Sequence, residues 1–309
     1  MDAAPGALVA HPRFVAWRRY TSCLSGLSSS VGILRVDHGW LRHPADRRSL
    51  LLVTAYQLTL FGPLFVPELR NGLMLIAACG LSFLNAVVIH NVMHLPMFTS
   101  AKAEAALRAI LSFGNLYPAS ANIPAHNRVH HRFEDDGLPD WAAPEHVRLP
   151  HPALSLLHFP NVIGPRTFEG VSRFARRSAR AEFRRQYRFE LGFAVGLTAA
   201  LLAFDFWGAL LFVLVPQLFG ARWILRINLL QHAGTDPTSQ WAHSRNFVGR
   251  LLNWLMMNNG YHTIHHAQPA LHWSELQQAH QEQASPHVDH RWQELSLLAY
   301  LYRLCWRST

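Results

Sequence analysis

The chain is 309 residues long, half of them apolar and only 15% charged, against about 25% charged in an ordinary globular protein. Eighteen Phe and ten Trp exclude a solvated, disordered chain. Cys23, Cys79 and Cys305, widely spaced and without a CxxC, exclude a disulfide framework or a thiolate zinc site. Two features stand apart: 20 His outnumber the 19 acids, and the net charge of +9 rests almost wholly on arginine, Lys102 being the only lysine.

The chain begins with a basic segment carrying Arg13, Arg18, Arg19, Arg35, Arg42, Arg47 and Arg48. Its first residues, MDAAPGALVAHPRF, hold no uninterrupted apolar region and predict no cleavable signal. Leu50 to Val66 is uncharged; as helix it covers about 25 Å, near the lower limit for a membrane span. After PELRN, Gly72 to Ile89 is a second uncharged run ending at His90. Ala105 to Pro124 is apolar but interrupted by Arg108 and Pro118, which suits an interfacial or re-entrant helix. Leu191 to Phe204 and Phe206 to Ala221, hinged at Asp205, read as a second hairpin flanked by Arg188 and Arg222. Leu251 to Asn258, interrupted by Asn253, again suits an interfacial helix. The expected architecture is an all-α integral membrane protein with four transmembrane helices in two hairpins.

Arginine distribution orients it. The basic residues lie before the first span and between the second and third, with a dense run from Arg173 to Arg188, whereas the opposite loops offer only Arg70 against Glu68 and Asp205. The positive-inside rule then places both termini and the middle segment in the cytoplasm. The run from Arg173 to Arg188 would sit on anionic headgroups. Its place beside a span accounts for its charge without nucleic acid.

Nine histidines form four clusters: His90 and His94 in HNVMH, His126, His130 and His131 in HNRVHH, His232 in NLLQH, and His262, His265 and His266 in HTIHH. The predicted topology puts all four on the cytoplasmic side. Residues at i and i+4 share a helical face, so His90 with His94, and His126 with His130, can each present two imidazoles to one ion. The same spacing relates Asn228 to His232. In HTIHH, His262 and His265 share a face and His266 points off it. Chance alone supplies about one HxxxH in such a chain, whereas a given three-His pattern arises on the order of 0.1 times. Two of them beside span ends are not accidental. Nine neutral imidazoles exceed the three or four ligands of one zinc and suit a two-metal cage with open positions. Iron, which accepts imidazole and activates dioxygen, is the expected occupant. Asp136, Asp140 and Asp236 are the nearest acids able to accept the outer N–H of a ligand. The other eleven histidines, His243 and His272 among them, lack such spacing and read as surface or structural.

HNVMH, HNRVHH, NLLQH and HTIHH, in that order around two hairpins, resemble the histidine boxes of the membrane fatty-acid desaturase superfamily. So do the flanking words HHRFEDDGLPDW, HSRNF, NNGYHTIHH and LHWSEL, and the likeness covers about Leu50 to His280. The resemblance implies four spans with interfacial helices and a cytosolic helical cap over a non-haem di-iron centre. Its ligands would be His90, His94, His126, His130, His131, His232, His262, His265 and His266, with Asn228 approaching one iron through a water. The segments are then 1–48 (basic N-terminal), 49–97 (first hairpin and box), 98–188 (interfacial helices, second box, basic segment), 189–226 (second hairpin) and 227–309 (cap with the third box), forming one catalytic domain.

The resemblance also implies an O2-dependent desaturase in a bacterial inner membrane, acting on a fatty-acyl or lipid substrate. A hydroxylase, an acetylene-forming enzyme or a terminal-alkene-forming decarboxylase would use similar boxes. Regioselectivity would come from an apolar tunnel, with Phe98, Phe133, Trp141, Trp254 and Trp273 as candidate walls. No GxGxxG, CxxC or HPGG word is present, so a separate electron donor of the ferredoxin or cytochrome type is implied. A b-type cytochrome would instead need His pairs deep within facing spans. A metal transporter would need ionisable groups through the membrane depth.

Overall fold

Apolar runs broken by Pro, Gly and charge produce long helices joined by tight turns. The computed structural model describes residues 39–131 and 140–306. The principal helices are α1 (Asp46–Phe65), α2 (Gly72–His94), α3 (Ala101–Asn115), α4 (Pro152–Arg177), α5 (Ala181–Phe204), α6 (Phe206–His232), α7 (Arg250–Leu255), α8 (His262–Ala267) and α9 (Leu297–Trp306). Among the described residues, the only sheet pairs β1 (Asn246–Phe247) with β2 (Gln293–Glu294) in parallel. Arg13, Arg18, Arg19, Arg35, Phe133 and Asp136 lie outside the described residues.

Among the described residues, three helices, α2, α5 and α6, are long and apolar enough to cross a membrane. The first expected span does form a helix, α1, but it is not one of the three. Asp46, Arg47 and Arg48 occupy its first turn, and Gln57 and Pro63 interrupt the rest. The other spans are longer than their apolar runs. Helix α5 begins ten residues before Leu191, because its Arg-rich start continues the same helix, and α6 runs on to His232. Between them Asp205 breaks the chain as expected. Its carboxylate caps α6 by accepting from the Gly208 N–H (3.0 Å) and pairs with Arg70 of the α1–α2 turn. One ion pair thus fastens the two hairpin turns together.

Helix α3 is neither a span nor a surface helix. Its amphipathic length ends at Leu116, whose φ of 54° reverses the chain. The last carbonyls of a helix have no partner within it. Here side chains from three other helices supply them: Asn85 of α2 donates to the Leu111 carbonyl (3.1 Å), Gln217 of α6 to Phe113 (2.7 Å), and Tyr56 of α1 to Gly114 (2.7 Å). Asn85 also donates to Asn115, whose own amide donates to the Ser82 carbonyl. All three donor residues are buried mid-helix, where an unpaired carbonyl would cost several kcal/mol in apolar surroundings, roughly. The result is a helix whose C-terminal end is held inside the protein by its three neighbours. Helix α7 exposes Leu251 and Trp254, with the Arg48 guanidinium 4.7 Å above the Trp254 ring, as an interfacial helix would.

Candidate metal centre

Four elements bring the nine histidines together. The C-terminal end of α2 carries His90 and His94, and that of α6 carries His232. Helix α8 carries His262, His265 and His266. The remaining three lie on or just after a π-helical segment, Ile123–His130. In a π-helix the backbone bonds span five residues rather than four. The His131 N–H accordingly donates to the His126 carbonyl (3.0 Å), and the two Nε2 atoms lie 2.9 Å apart.

That winding alters the expected pairing. One group of four consists of His90, His94, His126 and His265, and the other of His130, His232, His262 and His266; within each group the donor nitrogens all lie within 4.8 Å of one another. His126 and His130 therefore belong to different groups, and it is His131 that meets His126. In HTIHH the partition also differs from expectation. His262 and His266, four residues apart, share a group, and His265 joins the other. His131 sits between the two, its ring 4.8 Å from His265 and 4.3 Å from His266.

The imidazoles turn Nε2 inward. Distances between Nε2 atoms are 3.0 Å for His90 and His265, 2.9 Å for His232 and His262, and 3.2 Å for His262 and His266. One proton can bridge a single such pair, but His262 faces two. Nitrogens about 2.1 Å from a shared ion and at right angles around it lie about 3.0 Å apart, so this donor set fits transition-metal ions. Electrostatics agree. Burial, reinforced by neighbouring imidazoles, holds His126, His131, His262, His265 and His266 well below the ordinary imidazole range. They are neutral, with lone pairs available to a metal.

Outer nitrogens are held from behind. His130 Nδ1 donates to Asp140 Oδ2 at 2.8 Å, and Asp140 Oδ1 accepts from the Ala142 N–H at 2.9 Å. Burial pushes the Asp140 carboxyl up, but His130 and these hydrogen bonds outweigh it and hold the group below its usual range, ionised. His232 Nδ1 donates to the His243 carbonyl (3.1 Å). His243 thus enters through its backbone, which spacing alone could not reveal. Asp236 does not reach the centre: it is exposed and caps its own turn through the Thr238 N–H and hydroxyl. Asn228 donates to the Ala142 carbonyl (3.1 Å), bracing the loop that carries Asp140. Asp140→Asn should keep the fold but weaken metal binding by roughly 10–100-fold. Chelator competition on purified protein checks this, and unchanged affinity would contradict the role.

A lattice of amides, which carry no ligand spacing in the sequence, seats α8. Asn259 donates to Asn91 of α2 (3.0 Å), and Asn246 accepts from the Thr263 N–H (2.9 Å) while donating to its hydroxyl (2.8 Å). Met257 and Asn258 adopt positive φ, 49° and 59°, to make the turn that Asn258 ties to the Trp273 carbonyl. Of the expected apolar walls, Trp273 is buried and donates to Asp46 (2.9 Å), Trp254 is exposed and Phe98 stacks on Trp40. His272 is buried 3.3 Å from Asp46. A cavity of about 20 Å³, room for one water, touches His94, His265, Asp46 and His272.

No curated protein matches the chain. One family does, described as Fatty acid desaturase, over residues 69–295. That span runs from the α1–α2 turn to the end of β2 and contains all nine histidines. The chain belongs to the fatty acid desaturase family, and so to the membrane desaturase superfamily whose boxes its sequence resembles.

Proposed function

We propose that the protein is a membrane-bound, O2-dependent fatty-acyl desaturase with two non-haem irons. The observation that carries this reading is the pair of four-histidine groups in a chain of this family. His90, His94, His126 and His265, with His131, would hold one iron. His130, His232, His262 and His266 would hold the other, with Asn228 as a further polar group that would reach it through a water. Bound there, the irons supply reductive activation of dioxygen and removal of hydrogens from unactivated carbons. Overall, two hydrogens from adjacent acyl carbons, two electrons and two protons reduce one dioxygen to two waters.

The chain's own part is to hold and shield. Buried, neutral imidazoles present lone pairs without a competing proton, and Asp140 fixes the ring of His130. The core packed around the boxes, Ile89, Val92, Met93, Leu230 and Ile264, excludes bulk water and competing reactions. The proposed topology has four spans, with α1 as the first; its exposed Leu51, Leu58 and Phe65 support a lipid-facing side. Both termini and the centre would lie on the cytoplasmic side of a bacterial inner membrane, under a cap formed after α6.

The deciding experiment feeds labelled fatty acids to cells making the protein and identifies products by mass spectrometry. A chain two mass units lighter is expected, and a hydroxylated or shortened product would overturn the desaturase assignment. Purified, fully loaded protein should carry about two irons per chain. Electrons would come from a separate ferredoxin or cytochrome, steered by the basic cytoplasmic surface. Turnover with an acidic donor should then fall as ionic strength rises; a rate indifferent to salt would contradict that docking.

A further inference from the structure

Away from the histidines, α4 and α5 enclose a cavity of about 180 Å³, far more than one water needs. Arg176, Arg184 and Arg188 line it together with Ser172, Phe168 and Leu191. Two acids of the same helices are engaged elsewhere: Glu169 pairs with Arg173 (2.6 Å), and Glu190 is buried against Ser120 (2.8 Å). Arg184 is anchored by donating to the Ser178 carbonyl. Tyr187 also lines the cavity; it is only 6% exposed, and its hydroxyl has no hydrogen-bond partner among the described residues. Three guanidiniums and a buried hydroxyl donor, with no carboxylate among the described residues lining the cavity, select an oxyanion, and arginine forks match phosphate geometry.

We propose that this cavity binds the phosphate of an anionic phospholipid. Its height and its walls argue for lipid. Arg184 and Arg188 occupy the turns of α5 just before its apolar run, the level at which headgroups meet a crossing helix. Phe168, Ala175 and Leu191 form an apolar wall useless to a free phosphate ion but suited to a glycerol backbone and the start of an acyl chain. Phe168 and Phe189 are exposed beside it, on the side open to a bilayer. A bound lipid would tie α4 to α5, and so brace the helix whose far face packs under Trp141, beside Asp140.

The test titrates detergent-purified protein with short-chain phosphatidylglycerol, phosphatidylcholine or inorganic phosphate, reading occupancy by native mass spectrometry. Phosphatidylglycerol should bind at least about tenfold more tightly than phosphatidylcholine. The triple variant Arg176→Gln/Arg184→Gln/Arg188→Gln should lose that preference, and Arg188→Gln alone should reduce it. A control triple on the same basic stretch but outside the cavity, Arg177→Gln/Arg180→Gln/Arg185→Gln, should keep it. Equal binding of the two lipids overturns the proposal, as does equal loss in the control triple, which would mean diffuse charge. Displacement of phosphatidylglycerol by inorganic phosphate at equal concentration, or by a fatty-acyl substrate, would also overturn it by assigning the cavity to another anion.

Discussion

Replacing His262 by alanine is expected to remove one of the two irons and to leave turnover below about 1% of the parent. His262 is buried, and its Nε2 faces both His232 and His266, so it is the shared member of its group. Losing a partner that merely orients a ligand costs roughly 10–100-fold in affinity; losing the ligand itself should exceed that. His262→Gln separates ligation from filling, since it keeps a polar side chain there but cannot restore the imidazole. Iron per chain by elemental analysis, alongside turnover, checks the expectation. His290→Ala serves as the control, because that side chain is 99% exposed. Two irons retained with undiminished turnover in His262→Ala would sink the assignment of the second site.

The second large effect arises far from any histidine. Gly220 of α6 lies against α2 so closely that an added Cβ would strike the Ser82 carbonyl oxygen and the Asn115 amide. Neither is the tip of a flexible side chain free to swing away. Asn115 is itself committed to that carbonyl at 3.0 Å, and Ser82 Oγ donates to the Pro216 carbonyl at 2.6 Å. Gly220→Val should therefore lose more than the roughly 1–3 kcal/mol typical of overpacking, since it breaks buried hydrogen bonds as well. Folded yield and the thermal midpoint in detergent should both drop. Iron content should drop with them, because α2 and α6 must stay in contact to keep the group of His94 beside the group of His232. Gly196→Ala on α5 meets nothing within 4 Å and should be tolerated. A stable Gly220→Val protein with full iron would show that the helices can separate without cost.

Much of this was readable before any coordinates. Charge-free runs located three helices long and apolar enough to cross a membrane, the run of Leu50 to Val66 falling short of that, and Asp205 announced the hinge. The clustering of nine histidines was equally plain. Their division was not. Spacing of four means one face in an α-helix, and only the winding of residues 123–130 into a π-helix moved His131 alongside His126 and sent His130 to the other group. That winding depends on tertiary contacts, which no periodicity encodes. Likewise Asp140 and Asp236 look equivalent in sequence, each a short distance from a box. Burial against His130 separates the first from the second, which water claims. The asparagines that seat α8 stayed invisible because an amide carries no spacing rule.

The end of α3 also bears on how the protein is made. Its carbonyls at Leu111 and Gly114 meet donors from α2 and α1, which are synthesised before it, but the Phe113 carbonyl meets Gln217, 104 residues later. Until α6 emerges from the ribosome, α3 lacks one donor of its seat, and burying it would leave a polar group unpaired in hydrocarbon. Order of synthesis and completion of the seat are thereby linked, because the last donor to α3 comes from a helix made about a hundred residues later. The same helix delivers His232, so the seat of α3 is completed before the three histidines of α8, the last members of the cage, are made.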